Sequence, residues 1–157
     1  MIVYHTSDIE IIKPDIRFSR EGLDFGKGFY VTKLREQAEK YGDRFKLRGK
    51  DAILNIYDLD DLPENVITKQ FCDYNEEWLD FVMDNRAGKL PSITYSVVEG
   101  GVADDKIFRT IDLYFSGDIT KEEALGRLRF EKPNNQICLL DQKVIDNHLK
   151  FINSIRL

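Results

Sequence analysis

The side chains in this sequence with most capacity for chemistry lie in four separated stretches. Tyr4-His5-Thr6-Ser7 ends an apolar run at the start of the chain, and Gly26-Lys27-Gly28-Phe29-Tyr30 follows. Tyr41 closes a charged run eleven residues beyond Tyr30, and Gln136 opens the stretch Gln136-Ile137-Cys138-Leu139. Two tyrosines facing one another make a slot for a flat cationic ring, held by stacking and cation–π attraction. Glycines such as Gly26 and Gly28 serve a turn, or let backbone lie against a ligand where a Cβ would intrude. A glutamine amide both accepts and donates, so Gln136 can hold a diol. Each group also has a plainer use as core aromatic, turn glycine, structural histidine or polar strand start.

Other chemistries are excluded. His5 and His148 are the only histidines and lie far apart, which speaks against a histidine-based zinc site, and no metal is expected. Cys72 and Cys138 stand in unrelated contexts, so neither a disulfide framework nor a metal-binding pair is expected, and the usage suits a reducing cytoplasm. The sequence has no GxSxG, no CxxC and no GxxxxGK[ST]. Gly26-Lys27-Gly28 fails the dinucleotide fingerprint because the third glycine position is Val31.

The chain has 157 residues, 42% hydrophobic and 32% charged, with a net charge of −5. That length suits one domain, 1–157, which buries roughly 70% of the surface of its unfolded chain. The negative balance excludes a broad nucleic-acid footprint. Two basic clusters, Lys46/Arg48/Lys50 and Arg127/Arg129/Lys132, read as solvated surface. The start MIVYHTSDIEIIKP lacks a signal peptide's basic and apolar regions, and no apolar run approaches the roughly 18 residues of a membrane helix. A cytoplasmic protein with no membrane partner is expected.

Positioning these residues requires strands at 2–5, 29–31, 52–59, 66–71, 92–100 and 134–141, and a closing strand-like FINSIRL. Residues 8–28 read mostly as loop. Thr32 can cap a helix whose apolar positions Leu34, Ala38, Tyr41 and Phe45 follow the 3.6-residue period. Asn75 and Gly88 bracket a second helix, KIFRTIDLYFSG reads as a third, Thr120 with Glu123 forms a capping box, and QKVIDNHLK reads as a short last helix. Strands and helices mix without a βαβ period, which favours α+β with mainly antiparallel strands.

Together these stretches resemble the nucleotide-binding core of the ADP-ribosyltransferase superfamily, in its diphtheria-toxin and poly-ADP-ribose-polymerase branch. His5-Thr6-Ser7 matches a first-strand His-Gly-Ser/Thr motif, and Gly26-Lys27-Gly28-Phe29-Tyr30-Val31 matches Gly-Lys-Gly-Ile-Tyr-Phe. Tyr41 falls at the helix position of a second tyrosine, and Gln136-Ile-Cys-Leu at a late strand that the superfamily opens with Glu. More closely, FGKGFYVT, REQAE, WLDFV, GGVADDKI and NQIC resemble a bacterial family of unknown function within that superfamily, over nearly the whole chain.

The resemblance implies a split, mainly antiparallel sheet with flanking helices. It implies a mono-ADP-ribosyltransferase that uses NAD as substrate and modifies a protein or nucleic-acid acceptor. A toxin of a toxin–antitoxin or phage-defence system, with an antitoxin partner, is the implied setting. His5, Thr6, Ser7, Gly26, Gly28, Tyr30 and Tyr41 would then bind NAD, with His5 donating to ribose hydroxyls. Arg20, and with it Arg17, could meet the pyrophosphate.

Three departures bear on catalysis. Thr6 replaces the glycine whose backbone pairs with the nicotinamide amide, Ala38 stands where a hydroxyl residue belongs, and Gln136 replaces the Glu. Gln136 holds a hydroxyl but supplies no charge. Asp104 and Asp105 are therefore candidate sources of negative charge, although either could instead cap the helix that follows. Two alternatives stay open: a non-catalytic NAD- or nucleotide-binding module, and an NAD glycohydrolase.

Overall fold

In the computed structural model, which describes residues 1–157, two short-stranded sheets meet at one point. The strands are β1 (Ile2–Ser7), β2 (Phe29–Val31), β3 (Ile53–Leu59), β4 (Thr68–Gln70), β5 (Val97–Gly100), β6 (Gln136–Leu139) and β7 (Leu149–Arg156). The helices are α1 (Arg35–Tyr41), α2 (Asp43–Lys46), α3 (Glu76–Arg86), α4 (Asp105–Phe115), α5 (Lys121–Leu128) and α6 (Gln142–His148). One sheet has the order β1-β3-β7 and the other β2-β6-β5-β4. All pairings are antiparallel except β4 with β5, so the fold is α+β. Tyr4 and Thr32 join the sheets as an isolated antiparallel bridge, each backbone N–H donating to the other's carbonyl at 2.9 Å.

Side-chain alternation on β6 explains why all four of its residues are buried. Ile137 and Leu139 face the first sheet and join Val3, Phe29, Val31 and Tyr57 in one core. Cys138 faces the other way, into a second core where Phe25 and Phe71 meet Trp78, Leu79 and Val82 of α3, Ile107 and Ile111 of α4, and Leu128 of α5. A strand covered on both faces reads as a continuous apolar run, as Ile-Cys-Leu does. Each fully buried large side chain contributes about 1.5–3 kcal/mol. The lone tryptophan, Trp78, is enclosed without an acceptor for its indole N–H.

Local signals are obeyed closely at the helix ends. Asn75 accepts from Trp78 N and Gly88 stops the next turn at φ +71°, while Asp104 and Thr120 cap α4 and α5. The Thr32 helix is the exception. Thr32 accepts from Leu34 N, so its hydroxyl closes a turn and the helix starts only at Arg35. Of its expected apolar stripe only Ala38 is buried, and the run splits at Gly42, where a Cβ would lie 2.8 Å from Leu157 and 3.3 Å from the Ala52 methyl. The strand expected over 92–100 is confined to 97–100, because β5 can pair only as far as β6 extends.

Two glycine substitutions test this packing in opposite directions. A Cβ at Gly28 would lie 2.6 Å from both Cys138 Sγ and Leu139 O, whereas at Gly126, inside α5, it meets nothing within 4 Å. Gly28→Ala should therefore destabilise by about 1–3 kcal/mol. Gly126→Ala should stabilise by about 1 kcal/mol. In thermal unfolding each kcal/mol corresponds to roughly 2–4 °C for a chain of this size.

Candidate functional site

The four stretches come together at the corner where the sheets meet. β1 carries His5, Thr6 and Ser7, and its Tyr4 bridges to Thr32 just after β2. β2 pairs with β6, which begins at Gln136, and α1 is fastened to both sheets. Thr6 Oγ1 donates to Ala38 O at 2.6 Å, and the Gln37 amide clasps the Asn135 backbone, donating to its carbonyl at 2.7 Å and accepting from its N–H at 3.2 Å. Ser7 is held by Asn55, which donates to its hydroxyl at 3.2 Å, so Thr6 and Ser7 tie elements together.

His5 is half-buried, its ring centroid 4.5 Å from that of Phe29. Its Nδ1 lies 2.6 Å from Tyr30 O, a carbonyl that can only accept, so Nδ1 carries the proton and Nε2 is left as an acceptor. Burial pushes the imidazole below its ordinary value of 6.5, against a smaller opposing effect of the Tyr30 hydrogen bond. The ring is neutral at pH 7. A ribose hydroxyl would have to donate to His5, the reverse of the direction expected from the sequence.

Tyr30 and Gln136 share one face of the second sheet, on either side of Cys138: Tyr30 pairs with Cys138, and Gln136 lies two residues before it. That face is already occupied. Phe25 is fully buried there, close enough to Gly100 that a Cβ would meet its ring at 3.0 Å. The Tyr30 hydroxyl donates to Gly26 O at 2.7 Å and accepts from Phe25 N at 3.1 Å, stapling the 22–28 loop over its own ring. Burial raises the Tyr30 phenol far above its usual range and pushes the Cys138 thiol up to about 12, so neither ionises or acts as a nucleophile.

The expected pair of walls is therefore not assembled. Tyr41 is exposed at the end of α1, edge-on to Phe45 and under the Arg44 guanidinium at 5.0 Å, not facing Tyr30. The glycines also have other work. Gly26 takes the left-handed turn at φ +100°, and the space beside Gly28 belongs to β6 rather than to a ligand. Lys27 is an exposed turn residue paired with Glu21. The loop is pinned from α3 as well, by Asn85 donating to Asp24 O at 3.1 Å and by an Arg86–Asp24 ion pair at 3.0 Å.

Gln136 donates from Nε2 to Gly101 O at 3.0 Å, which leaves Oε1 as its free acceptor. A glutamate there would set a carboxylate against that carbonyl, so the amide is what this corner accommodates. Asp104 accepts from Lys106 N and Ile107 N as the α4 cap, the plainer of its two expected roles. Asp105 is 99% exposed and pairs with Arg44 at 3.3 Å. The carboxylate at this corner that the residue pattern did not single out is Glu99, next to Gly100 on β5. It receives Asn135 Nδ2 at 2.8 Å and Lys33 Nζ at 2.6 Å. Strand alternation puts Glu99 on the face with Ile137, opposite Gln136. Only the register of β5 against β6, invisible in sequence, reveals it. Near the loop, Arg17 is held by Asp15 at 2.6 Å, whereas Arg20 has no carboxylate partner.

No three His, Cys, Asp or Glu side chains converge as a metal-binding group, and no helix is long and apolar enough to cross a membrane. What the fold defines is an α+β protein of two sheets hinged at a single bridge, with its polar corner at that hinge. The chain belongs to a family described as "Protein of unknown function (DUF3990)", whose model matches residues 1–151. No curated protein and no solved structure matches it.

The neutral His5 makes a measurable prediction. Its depressed value means that the folded chain binds fewer protons than the unfolded chain below pH 6.5, so stability is complete above that value and falls as pH drops through it. An NMR titration should place the His5 midpoint below 6.5. His5→Gln should lessen the loss of stability between about pH 7 and 5, by roughly 1.4 kcal/mol for each pH unit that separates the folded and unfolded midpoints. A midpoint at or above 6.5 would contradict the assignment.

Proposed function

We propose that this chain is a mono-ADP-ribosyltransferase that takes ADP-ribose from NAD and passes it to a protein or nucleic-acid acceptor. The observation that supports this reading is the meeting of β1, β2, α1 and the start of β6 at one corner, fastened by Tyr4–Thr32, Thr6–Ala38 and Gln37–Asn135. These are the elements, in the same order, through which the sequence resembles that superfamily. His5 Nε2 is the free acceptor for a ribose hydroxyl, Gln136 Oε1 is a second on the opposite face of β6, and Arg20 is the cation without a carboxylate partner for the pyrophosphate. A cytoplasmic toxin restrained by an antitoxin is the setting that we read for it.

In this mechanism the bond between ribose C1′ and the nicotinamide ring nitrogen breaks, and neutral nicotinamide leaves with the electron pair. An acceptor nitrogen or oxygen then bonds to C1′ and loses its proton to solvent. Negative charge near the oxocarbenium-like transition state lowers the barrier. We assign that role to Glu99, since Asp104 is committed to capping α4 and Asp105 stands in open solvent.

A second reading, a non-catalytic NAD-binding module, is favoured by one specific observation: the Gln136 amide is already bonded to Gly101 O and brings no charge. Incubation with labelled NAD and a cell lysate separates the readings. The transferase predicts label on protein or nucleic acid, reduced about a hundredfold by Glu99→Gln, a loss of the size seen for single electrostatic groups, and unchanged by Asp105→Asn. Nicotinamide release without labelling indicates a glycohydrolase, and NAD binding without turnover indicates the module. A chain that binds no NAD refutes all three.

A further inference from the structure

The sequence marks Arg127, Arg129 and Lys132 as solvated surface, but the fold arranges this end of the chain as a groove. α4 and α5 pack side by side through Ile107, Ile111, Ala124 and Leu128. Their outer edges enclose a hollow of about 380 Å³ lined by Lys106, Arg109, Thr110, Arg127, Phe130 and Glu131, among others. Its one acid, Glu131, is taken by Lys106 at 2.5 Å. Arg109 and Arg127 are exposed and have no carboxylate within ion-pairing distance, and neither have Arg129 and Lys132 beside them. Phe130 stands 84% exposed at the rim.

We propose that this groove binds single-stranded nucleic acid. Two unpaired guanidinium forks match phosphate oxygens, and an open phenyl ring offers a base a stacking platform of the kind that sequence-tolerant single-strand binders use. The local positive charge opposes the net charge of −5 of the whole chain, so the groove is a confined attractive site on a repelling surface. That confinement disfavours duplex, whose phosphates lie along a wide rigid rod and would meet the acidic surroundings. An acidic peptide would satisfy the arginines but would leave Phe130 unused.

The groove also adjoins the site already described. Asp104, which caps α4, lies three residues beyond Gly101, whose carbonyl receives Gln136. A strand lying along Lys106 and Arg109 runs toward that corner. Resting on the transferase reading, the groove thus names the acceptor class: a base of the bound strand supplies the nitrogen or oxygen that bonds to C1′ and loses its proton.

The test is fluorescence anisotropy of the full chain, without NAD, against a labelled oligothymidine or oligouridine of about 12 nucleotides at about 50 and 200 mM salt. Duplex of the same length and a polyglutamate peptide serve as competitors. Single strand should bind, with an affinity that falls with salt at a slope of about −1.4 for two phosphate contacts. Arg109→Ala with Arg127→Ala should abolish most of that slope, and Phe130→Ala should weaken binding about tenfold. Lys46→Ala with Arg48→Ala, in the other basic cluster, should leave it unchanged. All these side chains are exposed, and thermal unfolding confirms that each variant folds.

The proposal is overturned if single strand does not bind, if duplex or polyglutamate competes equally well, or if the Arg109/Arg127 variant binds like wild type. Labelled NAD added afterwards reads the acceptor role separately. Label on the oligonucleotide supports that role. A bound but unlabelled strand, in a preparation that labels lysate components, overturns that role alone.

Discussion

Two backbone hydrogen bonds between Tyr4 and Thr32 are the hinge on which this molecule is organised. They join two sheets that otherwise share side-chain packing and the His5–Tyr30 hydrogen bond, and they lie where β1 passes the end of β2. Thr32 then turns the chain into α1, whose direction brings Ala38 over β1 and Gln37 against the start of β6. The apolar residues of β2 and β6 that face the first sheet can interlock with Val3 and Tyr57 only at that crossing. The corner is polar because backbone groups that leave a sheet edge must find partners, and Thr6, Gln37, Asn135 and Gln136 provide them.

Much of this fold was legible in residue order. The cap at Asn75, the stop at Gly88, the Thr120 box and the apolar β6 run each encode a local preference that the packing endorses. What was not legible depended on partners distant in sequence. The α1 stripe failed because an apolar period specifies a buried face only if something covers it. Leu34 and Tyr41 have no such cover, whereas Gly42 is forced by Ala52 and Leu157. The corner itself was legible, since His5, Tyr30 and Gln136 do lie on adjoining elements. Their orientations were not. A strand shows two faces, and sequence cannot tell which of Phe29 and Tyr30 turns toward His5.

Charge at the corner follows the same logic. Asp24, half-buried within the loop, is pushed toward its neutral form by burial, although Arg86 opposes this. Glu99 is met instead by Lys33 and Asn135. One acid holds a loop shut and the other sits beside the strand start where polar groups remain free. The second role depends on the register of β5 against β6, which aligns Glu99 with Ile137 and Gly100 with Gln136.

The enclosed Trp78 gives the molecule an optical property. It is the only indole in the chain, stacks edge-on to Tyr74 at 4.7 Å, and lies in the core that Phe25 completes. Tyr74 in turn presses on Gly101 and donates to Val102 O. An indole that is fully buried with no hydrogen-bond acceptor emits toward the blue. Its emission therefore reports whether the helical layer behind the Gln136 corner is closed, with no label attached.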